Sequence, residues 1–427
     1  MKKFLALILA LVMALSLVAC GGGDNNTNGD NGDDANTEGK KVKVGFITLH
    51  DENSTYDLNF INGAKEAIAA LGLTEDDYIL KTNVPEGQEC YEAAMDMVDA
   101  GCNIIFADSF GHEPYMIEVA KANPEVQFCH STGTRAHTEN LANYHNAFAS
   151  IYEGRYLAGI AAGLKLNEMI EAGKFTADEA KMGYVGAFTY AEVVSGYTSF
   201  YLGAKSVCPT VTMDVTFTGS WYDETLEKEG AEKLIQGGCK LISQHADSLG
   251  APTACENAGV PNVSYNGSTQ AACPNTYIIS SRINWAPYYE YAIKAVMDGT
   301  AIDTDWTGTL ATNSVVLTDL NTTVAAEGTA EAIAAATEKL EKGEIHVFDC
   351  STFTTKADDT MNAFKVDYLK VDADGHITSY MADVDTDQAY AGDTEVVHDG
   401  YFAESEKRSA PYFDLEIDGI TRLDTKM

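Results

Sequence analysis

Apolar residues along this chain fall into short dense runs separated by longer stretches of helical period. Val42-Lys43-Val44-Gly45-Phe46-Ile47-Thr48 reads as a buried strand. A helix over 58–71 follows, with Phe60, Ile61, Ala64, Ile68 and Leu71 on one face. Strands over 77–81, 103–107 and 126–130 then alternate with helices over 90–100 and 114–122. A second series has strands over 181–188, 211–217, 240–245 and 261–265, with helices over 192–207, 224–236 and 251–258. Between the two series lies one long helix over 150–172, in which Gly154, Gly159 and Gly163 allow close packing. Alternation of this kind predicts two parallel sheets, each covered by helices on both faces.

Ligands sit at the carboxyl ends of strands in such sheets. In the first series those ends carry Tyr56 and Asp108-Ser109-Phe110-Gly111. In the second they carry Phe188-Thr189-Tyr190, Trp221-Tyr222, His245-Ala246-Asp247-Ser248 and Tyr265-Asn266-Gly267-Ser268. Aromatic residues recur there, and no Lys or Arg does. Two such sets of loops facing one another across a hinge make a closing clamp.

The amino terminus fixes the expected compartment. Lys2 and Lys3 precede an uncharged apolar run, Phe4 to Val18, of the length of a secretory h-region. The run ends Leu17-Val18-Ala19-Cys20, a bacterial lipobox, so 1–19 is expected to be a lipoprotein signal peptide and Cys20 the lipidated residue. The segment 20–41 is rich in Gly, Asn and Asp and is expected to be a flexible tether. These features predict a lipid-anchored protein on the outer face of a bacterial cell membrane. Charge adds an exclusion: 28 basic and 64 acidic residues give −36 over 427 residues, and loss of Lys2 and Lys3 makes it −38. A nucleic-acid backbone needs the opposite sign, so no nucleic-acid partner is expected. Eight cysteines follow Cys20 with no C-x-x-C spacing, which leaves buried thiols or at most a Cys255–Cys273 bridge.

Several stretches together resemble a known family. They are Ser54-Thr55-Tyr56, Asn83-Val84-Pro85-Glu86-Gly87, Asp108-Ser109-Phe110-Gly111, Tyr152-Glu153-Gly154-Arg155-Tyr156-Leu157-Ala158-Gly159, Gln244-His245-Ala246-Asp247-Ser248 and Asn284-Trp285-Ala286-Pro287-Tyr288-Tyr289. In this order and behind a lipobox, they look like the basic membrane protein family, the substrate-binding lipoproteins of purine nucleoside ABC importers. The resemblance covers roughly 42–350. It implies an α/β type I periplasmic-binding-protein fold: two doubly wound parallel-sheet lobes joined by a hinge and crossed three times by the chain. It implies a purine nucleoside or nucleobase as ligand, and ABC permease and ATPase subunits as partners. The expected division is lobe 1 over 42–148 and about 277–312, and lobe 2 over about 149–276 and 313–349. Asn266 departs from the family, which usually has an acidic residue there. An amide both donates to and accepts from a purine edge, which favours a base or a differently held nucleoside.

The expected ligand-binding residues are Tyr56, Ser109, Phe110, Phe188, Trp221, Asp247, Asn266, Asn284 and Trp285. Tyr56, Phe188 and Trp221 are either stacking platforms or core. Ser109, Asp247, Asn266 and Asn284 are either polar contacts or turn and cap residues, and Trp285 either lines the cleft or locks the hinge. His50-Asp51-Glu52 reads as a solvated loop rather than a metal corner, and the 152–156 stretch as an inter-lobe structural element. No G-x-S-x-G, H-E-x-x-H or P-loop pattern occurs, so no enzyme, cofactor or metal site is expected. A purine sensor without a transport role, or a secreted nucleoside-processing enzyme, stands as the alternative.

The remaining 350–427 carries 17 acidic and 7 basic residues. Phe353, Phe364, Tyr368, Tyr380, Phe402, Tyr412 and Phe413 need burial, so this extension is expected to pack on the lobes. Strand-like residues flank Asp372-Ala373-Asp374-Gly375, a hairpin turn rather than a calcium loop, because the later acidic ligands are missing.

Overall fold

A computed structural model of the chain describes residues 42–384 and 394–426. The expected signal peptide, Cys20 and the expected tether to 41 lie outside the described residues, as does part of the extension.

The first sheet takes β1 (Val44–Ile47), β2 (Tyr78–Lys81), β3 (Ile104–Ala107), β4 (Gln127–Ser131) and β5 (Tyr144–Ala149). The second takes β6 (Lys181–Gly186), β7 (Thr212–Phe217), β8 (Leu241–His245), β9 (Asn262–Tyr265) and β10 (Tyr277–Ile283). The chain then returns to the first sheet with β11 (Asp305–Gly308) and to the second with β12 (Val315–Leu317). The resulting orders are β11-β5-β4-β3-β1-β2 in one sheet and β12-β10-β9-β8-β6-β7 in the other. All neighbours run parallel except β10 and β12. Strands such as β1 and β3 are buried throughout, as a sheet with helices on both faces requires.

The return to the first lobe was expected near 277. β10 instead pairs with β9 and β12, so the crossing comes after Ile283. β5 is no apolar run: His145 and Asn146 are buried in it. The His145 ring bonds the Asp303 carbonyl and Gln127, and Asn146 accepts from the Ala136 amide. Such partners let polar side chains stand inside a sheet.

The first crossing helix, Ile151–Glu171, packs against helix Ala191–Val207 with backbone nearly touching backbone. A Cβ on Gly159 would stand 2.1 Å from the Phe200 carbonyl oxygen, and one on Gly203 would stand 2.0 Å from that of Tyr156. The second crossing helix, Ala286–Asp298, packs on the helix Thr55–Ala70, where Trp285 stacks on Phe60 at 4.4 Å.

The extension is built into the second lobe. Phe353, Tyr380, Phe402, Tyr412 and Phe413 belong to the same buried cluster as Tyr197 and Tyr201. Phe413 stacks on Phe348 at 4.4 Å. Antiparallel β13 (Leu369–Val371) and β14 (Ile377–Ala382) flank the Asp372 turn, in which the Asp372 carboxylate accepts from the Asp374 and His376 amides. Short β15 (Thr394–Glu395), β16 (Val397–His398) and β17 (Tyr401–Phe402) follow. Finally β18 (Ile420–Arg422) joins the edge of the second sheet, parallel to β7. Phe364 departs from its expected burial: it is 74% exposed.

Cys90 to Cys350 are all free and buried, Cys255 and Cys273 included. No helix among the described residues is long and apolar enough to cross a membrane.

Candidate functional site

The carboxyl ends of both sheets meet at one narrow cleft. In the first lobe its position is set by the start of helix Thr55–Ala70. Ser54 caps that helix, accepting from the Asp57 amide at 3.2 Å and donating its hydroxyl to the Asp57 carboxylate at 2.5 Å. The cap turns the next residues into the cleft. Tyr56 lines it, its hydroxyl donating to the Asp108 carbonyl at 2.8 Å. Ser109 lines it too, with its proton given to Glu86 at 2.5 Å, so its remaining lone pairs can accept from a ligand. Phe110 stands at the mouth.

From the second lobe come Trp221 and Asp247, tied together by the Asp247 amide donating to the Trp221 carbonyl at 2.9 Å. Asp247 is buried. Burial first, then Asp57, Glu227 and Glu192, pushes its carboxyl well above the usual range. Asp108 is pushed up by burial and by Asp57. Asp57 is held low despite its burial, because His50 and Ser54 donate hydrogen bonds to it. Asn266 sits behind Asp247 rather than on the cleft wall. Its φ of 66° is left-handed, which Asn tolerates, and its amide lies 3.5 Å from the Asp247 carboxylate.

The lobes touch across the cleft. The Asp247 carbonyl accepts from Thr55, the Asn266 carbonyl accepts from Asn59 at 3.0 Å, and Phe110 meets Tyr190 at 5.4 Å between ring centres. The clamp is therefore closed in this structure.

The structure brings Tyr56, Ser109, Phe110, Trp221 and Asp247 together on the cleft. Phe188 supports from behind, stacked on Tyr190 and edge-on to Trp221, each at 5.1 Å. Asn284 and Trp285 lie elsewhere. Asn284 bonds the Asn313 carbonyl and the Ala286 amide at the second crossing. Trp285 is in the first lobe's core.

Leu49, Thr132, Glu192, His245 and Tyr265 also line the cleft; none was among the expected ligand-binding residues, although His245 and Tyr265 were placed at the strand ends. Tyr265 and His245 face each other at 4.3 Å. Burial pushes the His245 pKa down, against the pull of Glu192, whose carboxylate is 3.5 Å from Nε2. Thr132 has a φ of 73°, a strained conformation for a β-branched residue, and its buried hydroxyl has no partner. The signal available for His245 and Tyr265 was their place at strand ends. Thr132 offered none, because strain at one residue leaves no pattern.

No Lys or Arg is among the described residues that line this cleft. Nor is any group of three or more His, Cys, Asp or Glu among the described residues placed to hold a metal. The arrangement can hold a flat uncharged ring between aromatic side chains, with carboxyl and hydroxyl groups around its edge.

A profile of ABC transporter substrate-binding proteins of the PnrA-like type, the Bmp family, matches residues 46–349. The chain belongs to the Bmp family. Its extension lies beyond the matched region. Among curated relatives of this Bmp protein, a purine-binding protein of Brucella abortus is 34% identical over 61% of this chain and 70% of its own length. A protein of Haloferax volcanii, provisionally named an ABC transporter glucose-binding protein, is 32% identical over 60% of this chain and 62% of its own. A solute-binding protein of an ABC transporter system from Aeropyrum pernix shares the fold at 19% identity and a TM-score of 0.60. The match covers 76% of this chain and 96% of that one. The Bmp protein thus has the two-lobed α/β fold of periplasmic solute-binding proteins.

Proposed function

We propose that this Bmp protein is a lipid-anchored receptor outside the cytoplasm that captures a neutral purine, base or nucleoside, and delivers it to the permease and ATPase of an ABC importer. The observation that carries the reading is the cleft wall: Tyr56 and Trp221 beside the buried Asp247, with no cation facing them. Stacking on two faces contributes at most roughly 6 kcal/mol, short of a micromolar complex, so polar groups must supply the rest. Asp247, Ser109 and Thr132 are the assigned polar partners, with Asn266 positioning Asp247. Phe110 closes the mouth and Phe188 braces Trp221. Anchoring rests on the lipobox at Cys20, and the absence of catalysis on the family's binding role.

Calorimetric titration with adenine, guanine, adenosine, guanosine, adenosine monophosphate and glucose tests the assignment. A neutral purine is expected to bind, and Asp247→Ala to weaken it by roughly 1.5–3 kcal/mol. Tighter binding of glucose or of the monophosphate than of every neutral purine would overturn it.

A further inference from the structure

The extension completes the second lobe, yet one loop of it reaches the first. Glu404 is buried, and its carboxylate accepts from the Tyr412 and Phe413 amides, which closes the loop between them. Inside the loop the Ser405 hydroxyl donates to the Ser409 carbonyl at 3.1 Å, and the buried Arg408 donates to the carbonyls of Ala410 and Pro411. A loop braced by such a network moves as one piece with the lobe that carries it.

The tip of the loop is bonded to β11, the edge strand of the first sheet. The Ser409 amide donates to the Asp305 carboxylate at 3.0 Å, and the Thr307 hydroxyl donates to the Ser405 carbonyl at 3.4 Å. At the base of the loop the Tyr152 hydroxyl, on the first crossing helix, donates to the Glu404 carbonyl at 3.2 Å. Two observations mark these contacts as built. Ser405 makes its contact from a φ of 61°, left-handed backbone that a serine keeps only when its surroundings hold it there. The Asp305 side chain is 7% exposed, so water does not freely take the place of the Ser409 amide.

The spacing along β11 says what the bonds do. The chain leaves the first lobe at Gly308, whose carbonyl accepts from the Ser150 amide where the first crossing begins. Thr307 adjoins that hinge, whereas Asp305 stands about 10 Å back from it along the strand. Rotation of the lobes about their crossings therefore moves Asp305 against Ser409 further than Thr307 against Ser405. A hydrogen bond of 3.0 Å does not survive such a displacement. We propose that loop 404–413 is a strap that ties the second lobe to the edge of the first in the closed form, opposes opening and slows the exchange of ligand. The strap lies outside the matched family region, which ends at 349.

The test uses the full-length protein. Asp305→Ala removes the acceptor of the Ser409 amide, and Thr307→Val removes the donor to Ser405. His137→Ala is the control: its ring is 3.1 Å from the same Asp305 oxygen, but both residues belong to the first lobe. Small-angle scattering without ligand should give a larger radius of gyration for Asp305→Ala, and for the double variant with Thr307→Val, than for wild type or His137→Ala. Release of adenine, measured by stopped flow and resting on the purine reading above, should be roughly tenfold faster in the double variant. Thr307→Val alone, a conservative change, should speed release roughly two- to threefold, and it decides the matter where Asp305→Ala impairs folding. Wild-type compactness without ligand, or wild-type release of adenine, in the double variant would each overturn the strap. So would a His137→Ala variant that opens as far as Asp305→Ala. If the wild-type protein bound no purine, the proposed function would fall, and scattering without ligand would still decide the strap.

Discussion

The carbonyl of Asp247 in the second lobe accepts two hydrogen bonds from Thr55 in the first, one from its amide at 3.1 Å and one from its hydroxyl at 3.2 Å. One residue thus offers its side chain to the cleft and its backbone to the latch, so holding a ligand and holding the lobes together act at a single position.

Thr55→Val keeps the shape and the amide bond but removes the hydroxyl. It should lower affinity for a neutral purine by about 0.5–1.5 kcal/mol, two- to tenfold. Small-angle scattering at subsaturating ligand should show a larger radius of gyration than wild type. Unchanged affinity and unchanged scattering would mean that the hydroxyl plays no part in closure.

Glu227, behind the cleft on helix Glu224–Gln236, is fully buried and has one carboxylate oxygen without a partner. Burial pushes its pKa up to about 7. Between the unfolded value near 4.3 and about 7 the folded protein binds the extra proton, so this group costs stability as pH rises through that window. Its other oxygen accepts from the Ser248 and Asp223 amides, bonds a glutamine oxygen would keep. Glu227→Gln should therefore gain about 1–3 kcal/mol at about pH 8, and the gain should vanish near pH 4. Urea unfolding at both ends of the range measures it; a gain independent of pH would refute the titration argument.

Gly203→Ala would drive a methyl group into the Tyr156 carbonyl across the paired helices. It should cost about 1–3 kcal/mol, because overpacked backbone can be relieved only by parting the helices. Thermal unfolding reads the loss, and a variant as stable as wild type would show that the contact relaxes freely.

On the proposed anchoring through Cys20, Cys20→Ser should release the protein from the membrane fraction into the medium or periplasm, since it removes the thiol that would carry the lipid. Continued sedimentation with membranes would argue for another attachment.

Much of the fold was legible because buried parallel strands write themselves as apolar runs such as Ile104 to Ala107. β5 was hidden, since His145 and Asn146 are buried through hydrogen bonds rather than apolarity. The site was half legible. Aromatic residues at strand ends led to Tyr56, Phe110 and Trp221, whereas Trp285, taken from the family-like stretch 284–289 and open between cleft and hinge, turns its ring back onto Phe60 because a helix starts at the next residue. Glu192 reaches the cleft from a helix start and pairs with His245, a meeting of distant segments that no local pattern carries.

The place of β18 bears on how the protein is made. β7 is an edge strand until Ile420–Arg422 arrives beside it, and the lock on that edge is Asp424, which accepts from the Thr216 hydroxyl at 2.6 Å and from the Phe217 amide at 2.7 Å. Asp424 is 207 residues downstream of Phe217. During synthesis and export the second sheet therefore waits with one rim of unpaired amides and carbonyls, open to any passing strand. A purification tag fused just beyond that strand would sit on the rim at the moment it must close.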